Sequence, residues 1–155
     1  MQVIKCSVQD APALASLNKR LIDDEKSDNP MNQEELEVRM EGFLRGEYHA
    51  FFFREDGAVI GYALVKHTCS PLYLRQFFID RAYRRRHYGQ TAFHELLDYL
   101  HADAAAVDVL PWNEAGLRFW KSLGFTETCI SMKFSKASEK ECTEHMNARN
   151  GGPER

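Results

Sequence analysis

The stretch from Leu72 to Leu100 constrains the fold more than any other part of the chain. It begins as an apolar, strand-like run, Leu72 to Asp80. It passes through Arg81-Ala82-Tyr83-Arg84-Arg85-Arg86-His87-Tyr88-Gly89 and enters a segment with Phe93, Leu96, Leu97 and Leu100 at i, i+3, i+4, i+7. That spacing is one face of an amphipathic helix. A helix N-terminus presents unpaired N–H groups and about half a positive charge. The four arginines add planar, permanent cations suited to phosphate. Gly89 lets backbone approach a ligand closely. A polyphosphate fits this chemistry, and a plain solvated basic turn fits the charge alone. The segment is neither a Walker loop nor a dinucleotide fingerprint, both of which need more glycines at other spacings.

The rest of the chain supplies strands and helices around this unit. Val3 to Val8 alternates and predicts a strand. Asp10 is an N-cap candidate and Pro12 suits a first turn. Leu14, Leu17, Leu21 and Ile22 then share a helical face, and Ser27-Asp28-Asn29-Pro30 breaks that helix. A second helix starts near Asn32, carries Leu36, Met40, Phe43 and Leu44, and ends at Gly46. Tyr48 to Arg54 and Ala58 to Lys66 are strand-like runs joined by Glu55-Asp56-Gly57, a hairpin signal. Ala105 to Leu110 predicts a short buried strand, and Asn113 opens a helix to about Leu123, before Gly124. Phe125 to Phe134 predicts a last strand, and residues 135–155 a polar, mobile tail. The order predicts one α/β (α+β) domain over residues 1–134, with about six strands and helices on both faces.

At 155 residues the chain is one domain, able to build a core without covalent staples. Its net charge of −3 argues against general nucleic-acid binding. That total hides two patches. Asp23 to Glu37 carries seven acids and one lysine, a net of −6, while Arg81 to Gly89 carries +4. The four cysteines form no Cys-x-x-Cys pair, which reads as free thiols in a reducing compartment. Cys142 and His145 lack a second pair, so no metal is expected. No signal peptide and no membrane span are expected, and the cytoplasm is the expected location.

Two segments carry a family resemblance. Arg84-x-x-His87-x-Gly89, preceded by Phe78-Ile79-Asp80, resembles the acetyl-CoA motif Arg/Gln-x-x-Gly-x-Gly/Ala of the GNAT acetyltransferase superfamily. Asn113-x-x-Gly116-Leu117-x-Phe119-Trp120-x-x-x-Gly124-Phe125 resembles that family's second signature, Asn-x-x-Ala-x-x-Phe-Tyr-x-x-x-Gly-Phe. The resemblance spans Val3 to Phe134 and implies a mixed, mostly antiparallel sheet. It implies direct transfer of an acetyl group from acetyl-CoA to an amine. It further implies that Phe78, Ile79, Arg84, Arg85, Arg86, His87, Tyr88, Gly89, Gln90 and Asn113 hold acetyl-CoA. The cofactor's arm would enter a splay between the Leu72 to Asp80 strand and the Ala105 to Leu110 strand.

The sequence departs from the pattern at two places. His87 stands at the middle glycine, where a positive φ would be strained. Trp120 stands where many members have a Tyr that protonates the departing thiolate, and an indole N–H is no acid at neutral pH. Gln76, Tyr88 and Trp120 are the catalytic candidates, with core packing as the plainer reading of Trp120. Strict alternation puts Gln76 and Phe78 on one face of their strand, and Arg75 and Phe77 on the other. No carboxylate base stands mid-strand, so deprotonation through water, or binding of the amine already neutral, is the working expectation. Glu25, Asp28 and Asn29, with Gln76, are expected to border the acceptor site, where an acidic rim attracts a cationic amine. The alternative function is a non-catalytic acyl-CoA-binding module of the same fold. Homodimer formation is left open.

Overall fold

A computed structural model describes residues 1–132, 134 and 136. The chain divides into two units, Met1–Gly124 and Phe125–Arg155. The first holds the elements β1 (Gln2–Lys5), α1 (Ala11–Glu25), α2 (Gln33–Arg45), β2 (His49–Glu55), β3 (Ala58–Lys66), β4 (Leu72–Ile79), α3 (Tyr88–Leu100), β5 (Ala105–Val107) and α4 (Glu114–Ser122). The sheet order is β1-β2-β3-β4-β5. Every pairing is antiparallel except that of β4 with β5, which is parallel.

Local chemistry explains most boundaries. β1 ends earlier than Val8 because Ser7 and Asp10 close a capping box, with the Ser7 N–H donating to Asp10 Oδ2 at 2.7 Å. Asn32 caps α2 as expected, its Oδ1 accepting from the Glu35 N–H at 2.9 Å. Asp56 and Gly57 turn the β2–β3 hairpin at φ 48° and 81°.

Two apolar layers cover the sheet. Leu14, Leu21 and Met40 of α1 and α2 pack on Phe52, Tyr62, Leu64 and Phe78. On the other face Phe51 meets Tyr99 of α3, and Phe77 meets Phe119 and Trp120 of α4. Each fully buried large side chain contributes about 1.5–3 kcal/mol. The helices thus lie on both faces.

The last expected strand is a correction. No strand forms among the described residues after Gly124, and the sheet has five strands. Ile130, Met132 and Phe134 are 88, 91 and 90% exposed. Alternation supplies an apolar edge, but a strand exists only when a partner pairs its backbone. The tail expected at 135–155 lies, Lys136 apart, outside the described residues, as does the Cys142–His145 pair. Among the described residues no helix is long and apolar enough to cross a membrane.

Candidate functional site

The parallel pairing of β5 with β4 runs only from Leu72↔Ala105 to Leu74↔Val107. The pairing ends at Leu74 because β5 is three residues long and β4 eight, which leaves the end of β4 without a β5 partner. Here a cleft of about 470 Å³ opens. Phe77, Phe78 and Ile79 of β4 form one wall, with Leu21, Asp24 and Glu25 from the end of α1. Arg84, Arg85, His87, Gly89 and Gln90 of the turn into α3 form another. Asn113, Ala115, Gly116, Phe119 and Trp120 of α4 complete it.

The turn is shaped by two left-handed residues, Arg85 at φ 59° and His87 at φ 61°. Nonglycine residues pay for that conformation, as His87 was expected to. His87 Nδ1 and Gln90 Oε1 lie 3.1 Å apart, within hydrogen-bond distance. The first α3 bond runs from the Thr91 N–H to the His87 carbonyl. The amides of Tyr88, Gly89 and Gln90 therefore have no carbonyl one turn earlier, which is the anion-receptive end of a helix. Gly89 serves packing. A Cβ there would stand 3.0 Å from Phe119 Cε2, so α3 and α4 approach closely.

The two charge patches meet. Arg81 Nε donates to Asp24 Oδ1 at 2.6 Å, and Arg84 pairs with Asp24 Oδ2. Arg84 Nε also donates to the Ile79 carbonyl at 2.7 Å, so its head is turned back onto the strand. Arg20 pairs with Asp80 at 2.6 Å. Arg85 and Arg86 have no carboxylate partner among the described residues, and Arg85 lines the cleft. Two of the four turn arginines thus share one carboxylate, and two have none among the described residues.

The remaining acids scatter. Glu25 lines the cleft, and its carboxyl is pushed up by burial and then by Asp24. Trp112 Nε1 donates to the Glu25 carbonyl at 3.1 Å, tying the end of α1 to the loop before α4. Asp28 and Asn29 lie outside the cleft lining, and Asn29 Oδ1 accepts from the Met31 N–H at 3.0 Å in a local turn.

The catalytic candidates separate as well. Trp120 is 8% exposed and packs edge-on against Phe77, Phe93 and Phe119. Tyr88 stands beside Tyr83 and under Arg86, and neither Tyr88 nor Arg86 lines the cleft. Gln76 also lies outside the lining. Its Oε1 accepts from the Tyr62 hydroxyl at 3.0 Å. Tyr62 is fully buried, and burial drives its phenol well above the ordinary value, with Asn18 hydrogen-bonded to it in opposition. Asn113 caps α4, its Oδ1 accepting from the Gly116 N–H at 2.9 Å. A Cβ at 116 would stand 2.6 Å from Asn113 Nδ2, so glycine suits this cap.

Strict alternation fails on β4. Leu64 opposes Gln76 but Val65 opposes Leu74, so Arg75 is an extra, bulged residue. Its guanidinium stands 4.8 Å from the Phe43 ring centre, on the α1–α2 side where Gln76 meets Tyr62. Arg75 therefore does not share a face with Phe77. Sequence reasoning also missed Asp24, Phe77 and Phe119 as cleft residues. Asp24 sat in the acidic run, but nothing local named its partners 57 and 60 residues away.

Among the described residues no cluster of three or more His, Cys, Asp or Glu could hold a metal ion. No curated protein matches the chain at a significant level. Solved structures share the fold. A possible acetyltransferase from Clostridium difficile 630 superposes with a TM-score of 0.71 at 13% identity, over 89% of this chain and 98% of that one. The aminoglycoside N-acetyltransferase AAC(6')-Iy in complex with CoA gives 0.65 at 18%, over 88% and 95%. Ribosomal-protein-alanine N-acetyltransferase from Brucella melitensis biovar Abortus 2308 gives 0.66 at 11%, over 87% and 99%. The family model for the acetyltransferase (GNAT) family matches residues 15–125, and the chain belongs to that family.

Proposed function

We propose that the protein is an acetyl-CoA-dependent N-acetyltransferase acting on a small amine that enters the cleft as a cation. One observation carries this reading. The anion-receptive start of α3, with Arg85, and Glu25 line the same cleft, beside the end of β4 that β5 leaves unpaired. The amides of Tyr88 to Gln90 and Arg85 would hold the pyrophosphate of acetyl-CoA, and the free edge of β4 would pair with its arm. Arg84 would act indirectly, by fixing the turn to Asp24 and Ile79. The AAC(6')-Iy structure with CoA supports a CoA site on this fold.

Glu25 attracts the ammonium and, with its raised pKa, takes a proton from it. The neutral nitrogen attacks the thioester carbonyl, the new C–N bond forms, and the C–S bond breaks. A thiol's ordinary pKa of about 8.5 makes the CoA thiolate a tolerable leaving group, so the indole at Trp120 is no obstacle. The nitrogen sheds its second proton as the amide forms, and that proton reaches the thiolate through water. The test is a panel of amines incubated with acetyl-CoA, read by free thiol and by product mass. Equal amounts of CoA thiol and acetylated amine support the reading. Tight CoA binding without transfer to any amine would favour the binding-module alternative.

A further inference from the structure

Resting on the acyl-transfer reading above, we propose that the acceptor amine also carries an oxyanion, a carboxylate or a phosphate, and that Arg39 and Arg75 hold it. Both guanidinium groups stand against the Phe43 ring, 5.2 Å and 4.8 Å from its centre, and Arg75 is 5.6 Å from that of Tyr48. The β4 bulge is what brings Arg75 to this side of the sheet. Neither arginine has an ion-pair partner among the described residues, although Arg20, Arg45, Arg81, Arg84 and Arg118 each have one. Arg39 Nη1 has one weak contact, to Met31 Sδ at 4.0 Å. Burial and then the Arg75 charge lower the Arg39 pKa, and only the Tyr62 phenol opposes them.

Arg39 is half-buried and Arg75 exposed, and two like charges brought to one ring disfavour each other unless an anion joins them. Stacking on an aromatic ring engages the face of a guanidinium and leaves the N–H donors of its edge for a planar oxyanion. The location also fits. On the α1–α2 face of β4, Gln76 and then Phe78 follow Arg75, and Phe78 lines the cleft, about 10 Å of strand from Arg75. An acceptor whose ammonium meets Glu25 can therefore reach the arginine pair with its other end. The acceptor is a zwitterion of the aminocarboxylate or aminophosphate type.

The experiment compares matched acceptors at saturating acetyl-CoA. The probes are ω-amino acids of increasing chain length against their primary amides, and O-phosphoethanolamine against ethanolamine. In wild type the best oxyanion probe exceeds its neutral partner in kcat/KM by roughly ten- to hundredfold, carried mainly by KM. The carboxylate and phosphate arms show which oxyanion the site takes. Arg75→Gln brings the ratio toward one, Arg75→Glu inverts it, and Arg39→Lys keeps only part of it. A neutral partner used as well as its oxyanion twin, or a preference that survives Arg75→Glu, overturns the proposal. CoA titration of the same preparations separates the two readings. If CoA fails to bind, the acyl-transfer reading fails. Direct calorimetry with the oxyanion probes then decides the arginine pair: binding lost in Arg75→Gln upholds it, and no binding to wild type overturns it.

Discussion

Asp24 at the end of α1 and Arg84 in the turn before α3 form an ion pair across 60 residues of sequence. The same carboxylate takes Arg81 at 2.5 Å, so one acid fixes two arginines of the turn. The acidic and basic runs of the sequence are thus partly each other's partners. Asp24→Ala should leave two arginines uncompensated beside a mostly buried position. A loss of about 1 kcal/mol in unfolding free energy is expected, read from urea midpoints. Restoring stability by adding Arg84→Gln would show that the pair, and not the aspartate alone, sets the effect.

His87 occupies left-handed backbone at φ 61°, ψ 2°. Glycine visits that region freely, while a β-branched residue is a genuine outlier there. His87→Gly also gives up the exposed contact with Gln90. It should therefore be stabilising by only about 0.5 kcal/mol. His87→Val should be destabilising by more than about 1 kcal/mol. Chemical denaturation of both variants checks the contrast.

Tyr62 and Asn18 form a polar contact within the core beneath α1, where Asn18 is 2% exposed. Tyr62→Phe keeps the ring and removes the donor to Gln76. Partners left without a hydrogen bond there should cost about 1–3 kcal/mol, measured by urea unfolding. The variant should also loosen Gln76, raising the hydrogen-exchange rate of the β4 amides around the bulge.

Glu25 is expected to shape the pH response. Burial, and then the Asp24 charge, hold its carboxyl above the ordinary value, so the folded chain binds this proton more tightly than the unfolded one. The stability due to protonated Glu25 is present at acid pH. It is lost as pH rises from the ordinary carboxylate pKa through the raised one. Glu25→Gln should match wild type in acid and be the more stable at neutral pH, in urea midpoints taken across pH. Its acetylation rate should fall by about 10²–10⁴ and lose the acidic limb of the pH profile.

Much of the fold was legible because its signals are local. Apolar spacing marked α1, α2 and α3, Asn113 and Gly124 bounded α4, and Asp56-Gly57 announced the hairpin. The turn and its left-handed histidine were legible from motif and stereochemistry. Three features were not, and each depends on a partner far along the chain. The apolar alternation after Gly124 promised a strand, and the described residues form none. The Asp24 pairs depend on how α1 meets the turn. The bulge at Arg75 is a property of the β3–β4 register, which strict alternation along one strand does not contain.

The most direct measurement is a calorimetric titration of acetyl-CoA into wild-type protein and into Arg85→Ala. Arg85 is the turn arginine that lines the cleft and has no carboxylate partner among the described residues. Saturable binding with one site per chain is expected, weakened roughly tenfold or more by the substitution. The weakening should shrink with dephosphorylated pantetheine derivatives that lack the pyrophosphate. No saturable binding to wild type, or equal affinity in Arg85→Ala, would contradict the account.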